Sequence, residues 1–252
     1  MAILEMKQAT KSISNGPSEQ KILLNKVNLS INEGDFITVL GGNGAGKSTL
    51  FNTIAGTLSL TSGKIMIKDK DVTNHSEEKR ADHIARVFQD PKMGTAPRMT
   101  VAENLLLAKG RGQKRKLRLR QLQQNRDLFY QLCSEIGNGL ENHLDTPAGN
   151  LSGGQRQALS LLMATIQTPG LLLLDEHTAA LDPKTSKQLM ELTNRRVEEK
   201  NLTCLMITHR MEDALRYGNR LIVLQKGEIV QDLNAQEKAG LTMADLLQFF
   251  ED

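Results

Sequence analysis

Eight consecutive residues constrain this chain more than any others: Gly41-Gly42-Asn43-Gly44-Ala45-Gly46-Lys47-Ser48. They fit the pattern GxxxxGK[ST], a phosphate-binding loop that belongs between a buried strand and a helix. Phe36 to Leu40, just before, is a near-continuous apolar run of the kind expected for a strand covered on both faces. Lys47 to Ala55, just after, places Phe51 and Ile54 at helical spacing, with Leu58 beyond them. The predicted order is therefore strand, glycine loop, helix. Glycine admits backbone dihedrals that turn several N–H groups inward as an anion nest, and the following helix adds its positive N-terminal end. Lys47 would reach the β- and γ-phosphates, and Ser48 would offer its hydroxyl to Mg2+, with Thr49 beside it in the nucleotide-binding set. A merely flexible glycine loop is the bland alternative. The flanking strand, the helix and the Lys-Ser pair count against it.

A chain of 252 residues suits one α/β domain, 1–252, with an inserted subdomain. With 39% hydrophobic residues and no Trp, its core must be aliphatic. The formal net charge of +3 makes no case for nucleic acid. Cys133 and Cys204 fall in no metal-ligand pattern and fit a reducing cytosol. No signal-peptide core is present, and no apolar stretch approaches the roughly 18 residues of a membrane span, so any membrane work needs another chain. Asn15-Gly16-Pro17 and Glu33-Gly34-Asp35 read as turns, and Val27, Leu29 and Ile31 alternate like a half-buried strand. Residues 92–150 are rich in Leu, Gln, Arg and Asn and read as helical; the whole of 92–160 is taken as an inserted helical subdomain. Beyond it, Leu171–Leu174 reads as a strand, Ser186–Lys200 as a helix and Leu202–Thr208 as a strand. Leu221–Val230 reads as a hairpin turning at Lys226-Gly227. Thr242 to Phe250 reads as an amphipathic helix, with Thr242 and Asp245 as a capping box.

Leu171-Leu-Leu-Leu-Asp175-Glu176 is an apolar strand ending in two acids. Carboxylates are intolerable along a strand buried on both faces but acceptable at its C-terminal edge, where open α/β sheets bind ligands. Asp175 would hold Mg2+, and Glu176 would polarise a water against the γ-phosphate. The competing reading is a capping acid pair after a core strand. Leu151-Ser152-Gly153-Gly154-Gln155 reads locally as a second small nest opening a helix; an ordinary Ser N-cap is the plain alternative. Here the chain resembles the ABC (ATP-binding cassette) ATPases, whose signature sequence is LSGGQ, set 23 residues (175 minus 152) before Asp175.

The resemblance covers about residues 4 to 230 with motifs in the family's order. It implies an α/β P-loop NTPase core with a mixed sheet, an N-terminal antiparallel β part and the inserted α-helical subdomain. It implies ATP and Mg2+, with Gln89 as the Q-loop glutamine touching metal or water and His209 as a histidine at the γ-phosphate. Asp182 would cross a dimer interface, although an N-cap followed by Pro183 explains it equally well. In the family the signature nest closes over a nucleotide held by a second copy, which implies a head-to-tail dimer. A transmembrane permease and an extracytoplasmic solute-binding protein would be partners, at the cytoplasmic face of the membrane. A soluble ABC ATPase serving iron–sulfur or other assembly stays open as the alternative; a P-loop kinase would not need LSGGQ. Two positions depart from the pattern: Ile13 stands where an aromatic often stacks on adenine, and His177 where Pro often follows the glutamate. Asp175-Glu176-His177-Thr178 looks like importers of small metabolites, some serving aromatic amino acids. The basic run from Lys109 to Arg120 reads as a solvated helix start, a lipid head-group contact or, last, a nucleic-acid contact. Leu246, Leu247, Phe249 and Phe250 read as core or dimer packing.

Overall fold

The structure, a computed structural model, describes residues 1–14, 20–113 and 121–250. The turn at Asn15-Gly16-Pro17 and residues 114–120 of the basic run lie outside the described residues. The chain opens with β1 (Ala2–Ser14), β2 (Gln20–Asn32) and β3 (Phe36–Leu40), then α1 (Lys47–Ala55), β4 (Ser62–Ile67) and β5 (Lys70–Asp71). There follow α2 (Glu77–Arg80), β6 (Ile84–Val87), α3 (Val101–Lys109), α4 (Arg126–Ser134) and α5 (Gly153–Thr165). The remainder is β7 (Leu171–Asp175), α6 (Pro183–Glu199), β8 (Cys204–Ile207), α7 (Met211–Arg216), β9 (Arg220–Gln225), β10 (Glu228–Leu233), α8 (Ala235–Ala239) and α9 (Met243–Gln248).

Two sheets form. One is antiparallel, in the order β2-β1-β4-β5. The other runs β10-β9-β3-β8-β7-β6 and is parallel except for the edge strand β10, so it is mixed. Its apolar runs face two ways, as a period of two requires. Leu171, Leu173, Leu205 and Ile207 join the cluster under the antiparallel sheet and α1. Leu172, Leu174, Cys204 and Met206 join the cluster under α5 and α6. Both faces are therefore covered, and a ligand can approach these strands only at their ends.

The helical segment builds a cluster of its own from Val101, Leu105, Phe129, Cys133, Leu140 and Leu144. Helix α5 belongs to both neighbours: Leu159 and Leu162 pack into the helical cluster, while Ala158 and Leu161 pack under the sheet. This helix continues past 160 to Thr165. Residues 92–100, expected to be helical, are turns and coil instead. Pro91 and Pro97 disfavour helix in the residues before them. The buried Asn104 side chain then holds the segment, accepting from the Ala96 N–H and donating to the carbonyls of Ala96, Met99 and Thr100. Among the described residues no helix is long and apolar enough to cross a membrane.

Buried Arg80 fixes the far end of α1. It donates to the carbonyls of Thr53 at 2.7 Å and Ile54 at 2.8 Å, and to those of Thr73 and His75. A cation there satisfies last-turn carbonyls and complements the helix dipole. Arg80→Met keeps the volume but strands those carbonyls, and should cost about 3 kcal/mol of stability. A urea midpoint that does not move would show that the cap is dispensable.

Candidate active site

The glycine loop links β3 to α1, and its shape is dictated from behind. Gly44 and Gly46 adopt φ of 79° and 105°, the left-handed region. A Cβ at Gly46 would lie 2.7 Å from the Leu23 carbonyl oxygen, and one at Gly41 would lie 2.5 Å from that of Leu224. Gly42, Asn43 and Gly44 are exposed in front. The hairpin joining β9 to β10 props the loop: the Gly227 N–H donates to the Ala45 carbonyl at 2.9 Å, and the Asn25 N–H of β2 donates to Gly227 at 2.9 Å. Lys47 is buried, and its Nζ donates to the carbonyls of Gly41 at 2.6 Å and Gly42 at 3.0 Å. Burial pushes its ammonium below the ordinary lysine value, while the Glu176 and Asp175 carboxylates push the other way.

A cavity of about 220 Å³ opens on this loop. Asn43 to Thr49 line it, together with Glu176, His209, Lys21 and Leu23. Glu176 follows β7 in the left-handed region at φ 46°, and its N–H donates to the Ile207 carbonyl at 3.1 Å. That placement is strained for a residue with a side chain, and it turns the carboxylate towards His209, with Oε1 2.5 Å from Nε2. Asp175, one residue earlier, points instead at Arg86, with Oδ2 2.6 Å from Nη2. Among the described residues no three His, Cys, Asp or Glu side chains cluster as a metal site.

The signature segment makes a different cavity, of about 370 Å³. Ser152 caps α5 in a capping box with Gln155, each side chain bonding the other's backbone N–H at 3.2 Å. Gly153 faces open space, and a Cβ at Gly154 would lie 2.5 Å from Thr185 Cγ2. Asp182 lines the same cavity and also caps α6, accepting from the Lys184 and Thr185 N–H groups at 3.2 and 3.1 Å. Hydrogen bonds from Thr185 hold its carboxyl below the usual range. Among the described residues the two cavities share no lining residue.

Gln89 lies exposed beside neither cavity, just past β6. Its segment is tied to the signature helix: Gln157 Nε2 donates to the Phe88 carbonyl at 2.9 Å, and Arg156 Nε donates to Thr95 Oγ1 at 2.7 Å. Ile13 is 39% exposed and pairs with Lys21 across β1 and β2; Lys21, not Ile13, is among the described residues lining the loop cavity. His177 turns inward, fully buried, with Nε2 3.0 Å from Thr193 Oγ1. The Thr193 hydroxyl already donates to the Leu189 carbonyl at 2.8 Å, so Nε2 carries the hydrogen and donates. His177 is thus a packing residue against α6, which explains its place after the glutamate. Arg86, Asn52, Lys21, Leu23, Asn138, Thr185 and Gly227 complete these sites without a sequence motif. Gly227 was legible only as a turn residue, and Arg86 left a signal as a lone charge in the apolar run Ile84-Ala85-Arg86-Val87.

A glycine cradle on a covered sheet edge, a lysine inside it and an acid pair beside it define a P-loop ATPase. The model of the ABC transporter family matches residues 24–179. A tyrosine transport ATP-binding protein of Clostridioides difficile (strain R20291) is 45% identical over 249 residues, covering 99% of both chains. A phosphonates import ATP-binding protein of Lactococcus lactis subsp. cremoris (strain SK11) is 36% identical over 217 residues, 85% of this chain and 87% of that one. A solved dimeric ATP-binding cassette in a post-hydrolysis state, bound to ADP and Pi, superposes with a TM-score of 0.78 at 30% identity, covering 92% of this chain and 98% of that chain. The chain belongs to the ABC transporter family and is an ATP-binding ATPase of it.

Burial pushes the His177 imidazole from its ordinary 6.5 down to about 4. The unfolded chain therefore takes up this proton more readily than the folded one. The stability at stake is fully present above pH 6.5 and is lost as pH falls from there towards 4. His177→Asn keeps a donor for Thr193 but cannot titrate. Its urea midpoint should fall less between pH 7 and pH 5 than that of the parent; equal slopes would remove His177 from the acid response.

Proposed function

We propose that two copies of this chain sandwich two ATP molecules head to tail, and that hydrolysis drives a small solute through a separate transmembrane permease, inward. One observation carries the dimer: the glycine cradle and the signature nest open into separate cavities, so one copy cannot close both on one phosphate. The solved cassette bound to ADP and Pi is dimeric, which supports the reading. The relatives described as transport and import ATP-binding proteins support a permease partner. The near full-length likeness to a tyrosine transport ATP-binding protein favours an amino acid, aromatic in kind, as the solute. A solute-binding protein outside the membrane would deliver it, and this chain would sit at the cytoplasmic face. No observation favours the soluble assembly role.

Within the pocket, Gly41, Gly42, Asn43, Gly44, Ala45 and Gly46 wrap the phosphates with backbone N–H groups, and Lys47 releases its own loop carbonyls to reach the β- and γ-oxygens. Ser48 and Thr49 follow at the helix start. The donor set fits Mg2+: an exposed Ser48 hydroxyl and the Asp175 carboxylate are hard oxygens, and Mg2+ is held by one or two such groups plus phosphates. Bound there, Mg2+ would neutralise charge on the phosphate oxygens. Glu176 accepts a proton from the attacking water, and His209, now bonded to Glu176, turns to the γ-phosphate. Ser152, Gly153, Gly154 and Gln155 of one copy cover the γ-phosphate gripped by the other, and Asp182 meets the facing subunit. Gln89 senses the γ-phosphate side and passes the change to the helical segment through the Phe88 backbone. Ile13 and Lys21 flank the nucleobase end.

Glu176→Gln keeps the shape and removes the base, so turnover should fall by roughly 100-fold or more, while ATP still drives dimerisation in sedimentation analysis. A fully active variant would strip Glu176 of this role. Lys47→Ala should weaken binding of a fluorescent ATP analogue at least tenfold, about 1.4 kcal/mol; unchanged affinity would count against the cradle.

A further inference from the structure

Arg86 is a largely covered charge that the ATPase reading leaves unused. It occupies β6 between the buried Ala85 and Val87, with its side chain 10% exposed. A guanidinium in that setting must be paired. Nη2 donates to Asp175 Oδ2 at 2.6 Å, and Nη1 donates to Asn52 Oδ1 of α1 at 2.8 Å. Nε is buried without a partner among the described residues, and the guanidinium lies 4.7 Å from the centroid of the Phe88 ring. The cation paired with Asp175 is therefore an arginine. Asp175 itself is 13% exposed, so an unpaired carboxylate there would be costly before any nucleotide arrives.

We propose that Arg86 is a resident counter-ion of Asp175 that Mg2+ must compete against, so that Arg86 sets the divalent-ion affinity of the nucleotide site. The inference rests on Asp175 being a metal-side carboxylate, as proposed above. Arg86 has somewhere to go when the carboxylate turns away. Its other arm stays on Asn52, its face stays on Phe88, and the residue borders a cavity of about 1200 Å³ that Phe88, Met93 and Gly94 also line. The exchange moves one hydrogen bond and leaves the guanidinium with a partner. Arg86 is a positioning residue, acting through Asp175 on the ion.

The test is a Mn2+ titration read by electron paramagnetic resonance, with the protein holding a non-hydrolysable ATP analogue. Arg86→Met keeps a flexible stem of similar length and removes the charge; half-saturation should come at roughly tenfold less Mn2+. Arg86→Lys keeps the charge and should stay near the parent. An unchanged or raised midpoint in Arg86→Met, or the same drop in Arg86→Lys, overturns the proposal. A variant that fails to fold is replaced by side-chain NMR of the parent labelled at arginine. The Arg86 guanidinium signals should move when Mg2+ joins the nucleotide and stay put with nucleotide and chelator; signals indifferent to Mg2+ overturn it equally. Asp175→Asn separates the two readings. If it leaves Mn2+ binding intact, the metal role of Asp175 fails; if it weakens binding while Arg86→Met changes nothing, only the counter-ion role fails.

Discussion

A phosphate loop has to aim its amides at a ligand while its carbonyls find partners elsewhere, and much of this structure answers to that demand. The Ala45 carbonyl is taken by Gly227, and those of Gly41 and Gly42 by Lys47. Leu23 and Leu224 press so closely behind that only glycine fits at Gly46 and Gly41. The antiparallel sheet and the β9–β10 hairpin thus act as a mould for residues whose own conformational freedom is large. At the other end of α1, Arg80 closes the account of unsatisfied carbonyls. The helix that points at the phosphates is consequently anchored at both termini.

Helix α5 is the second organising element. Its first turn makes the signature nest, one face belongs to the helical cluster, and the other lies under the sheet. Through Gln157 and Arg156 it also grips the segment that carries Gln89. The nest and the Gln89 segment are thereby fastened to one helix, whose close packing leaves little room for either to deform alone.

Features set by near neighbours in the chain were legible from the sequence. The bounds of β3 and α1 match the apolar run and the helical spacing, the hairpin turns at Lys226-Gly227, and Thr242 caps α9 with Asp245. Features set by distant partners were not. His177 meets Thr193, Arg86 meets Asp175, and Arg80 meets Thr53, each across a separation that no local pattern encodes. Ile13 shows another limit. Strand β1 slips register between Met6 and Ala9 and twice more before Ser12, with Gln8 at φ 50°. Each slip changes which face a later residue presents, so counting along the strand does not place Ile13. The coil at 92–100 depended on Asn104, whose reach across the segment is invisible to composition.

The prop under Ala45 carries a consequence for synthesis. Strand β3 sits between β9 and β8, and the amide that braces the loop comes from Gly227. Strands β8 and β9 and Gly227 are all translated long after the eight motif residues, and contacts so far apart in sequence form late. A chain cut short before the hairpin holds the phosphate-loop residues beside β1 and β2 but lacks the part of the mould that Leu224 and Gly227 supply. The loop sequence is thus made well before the amide that fixes its shape.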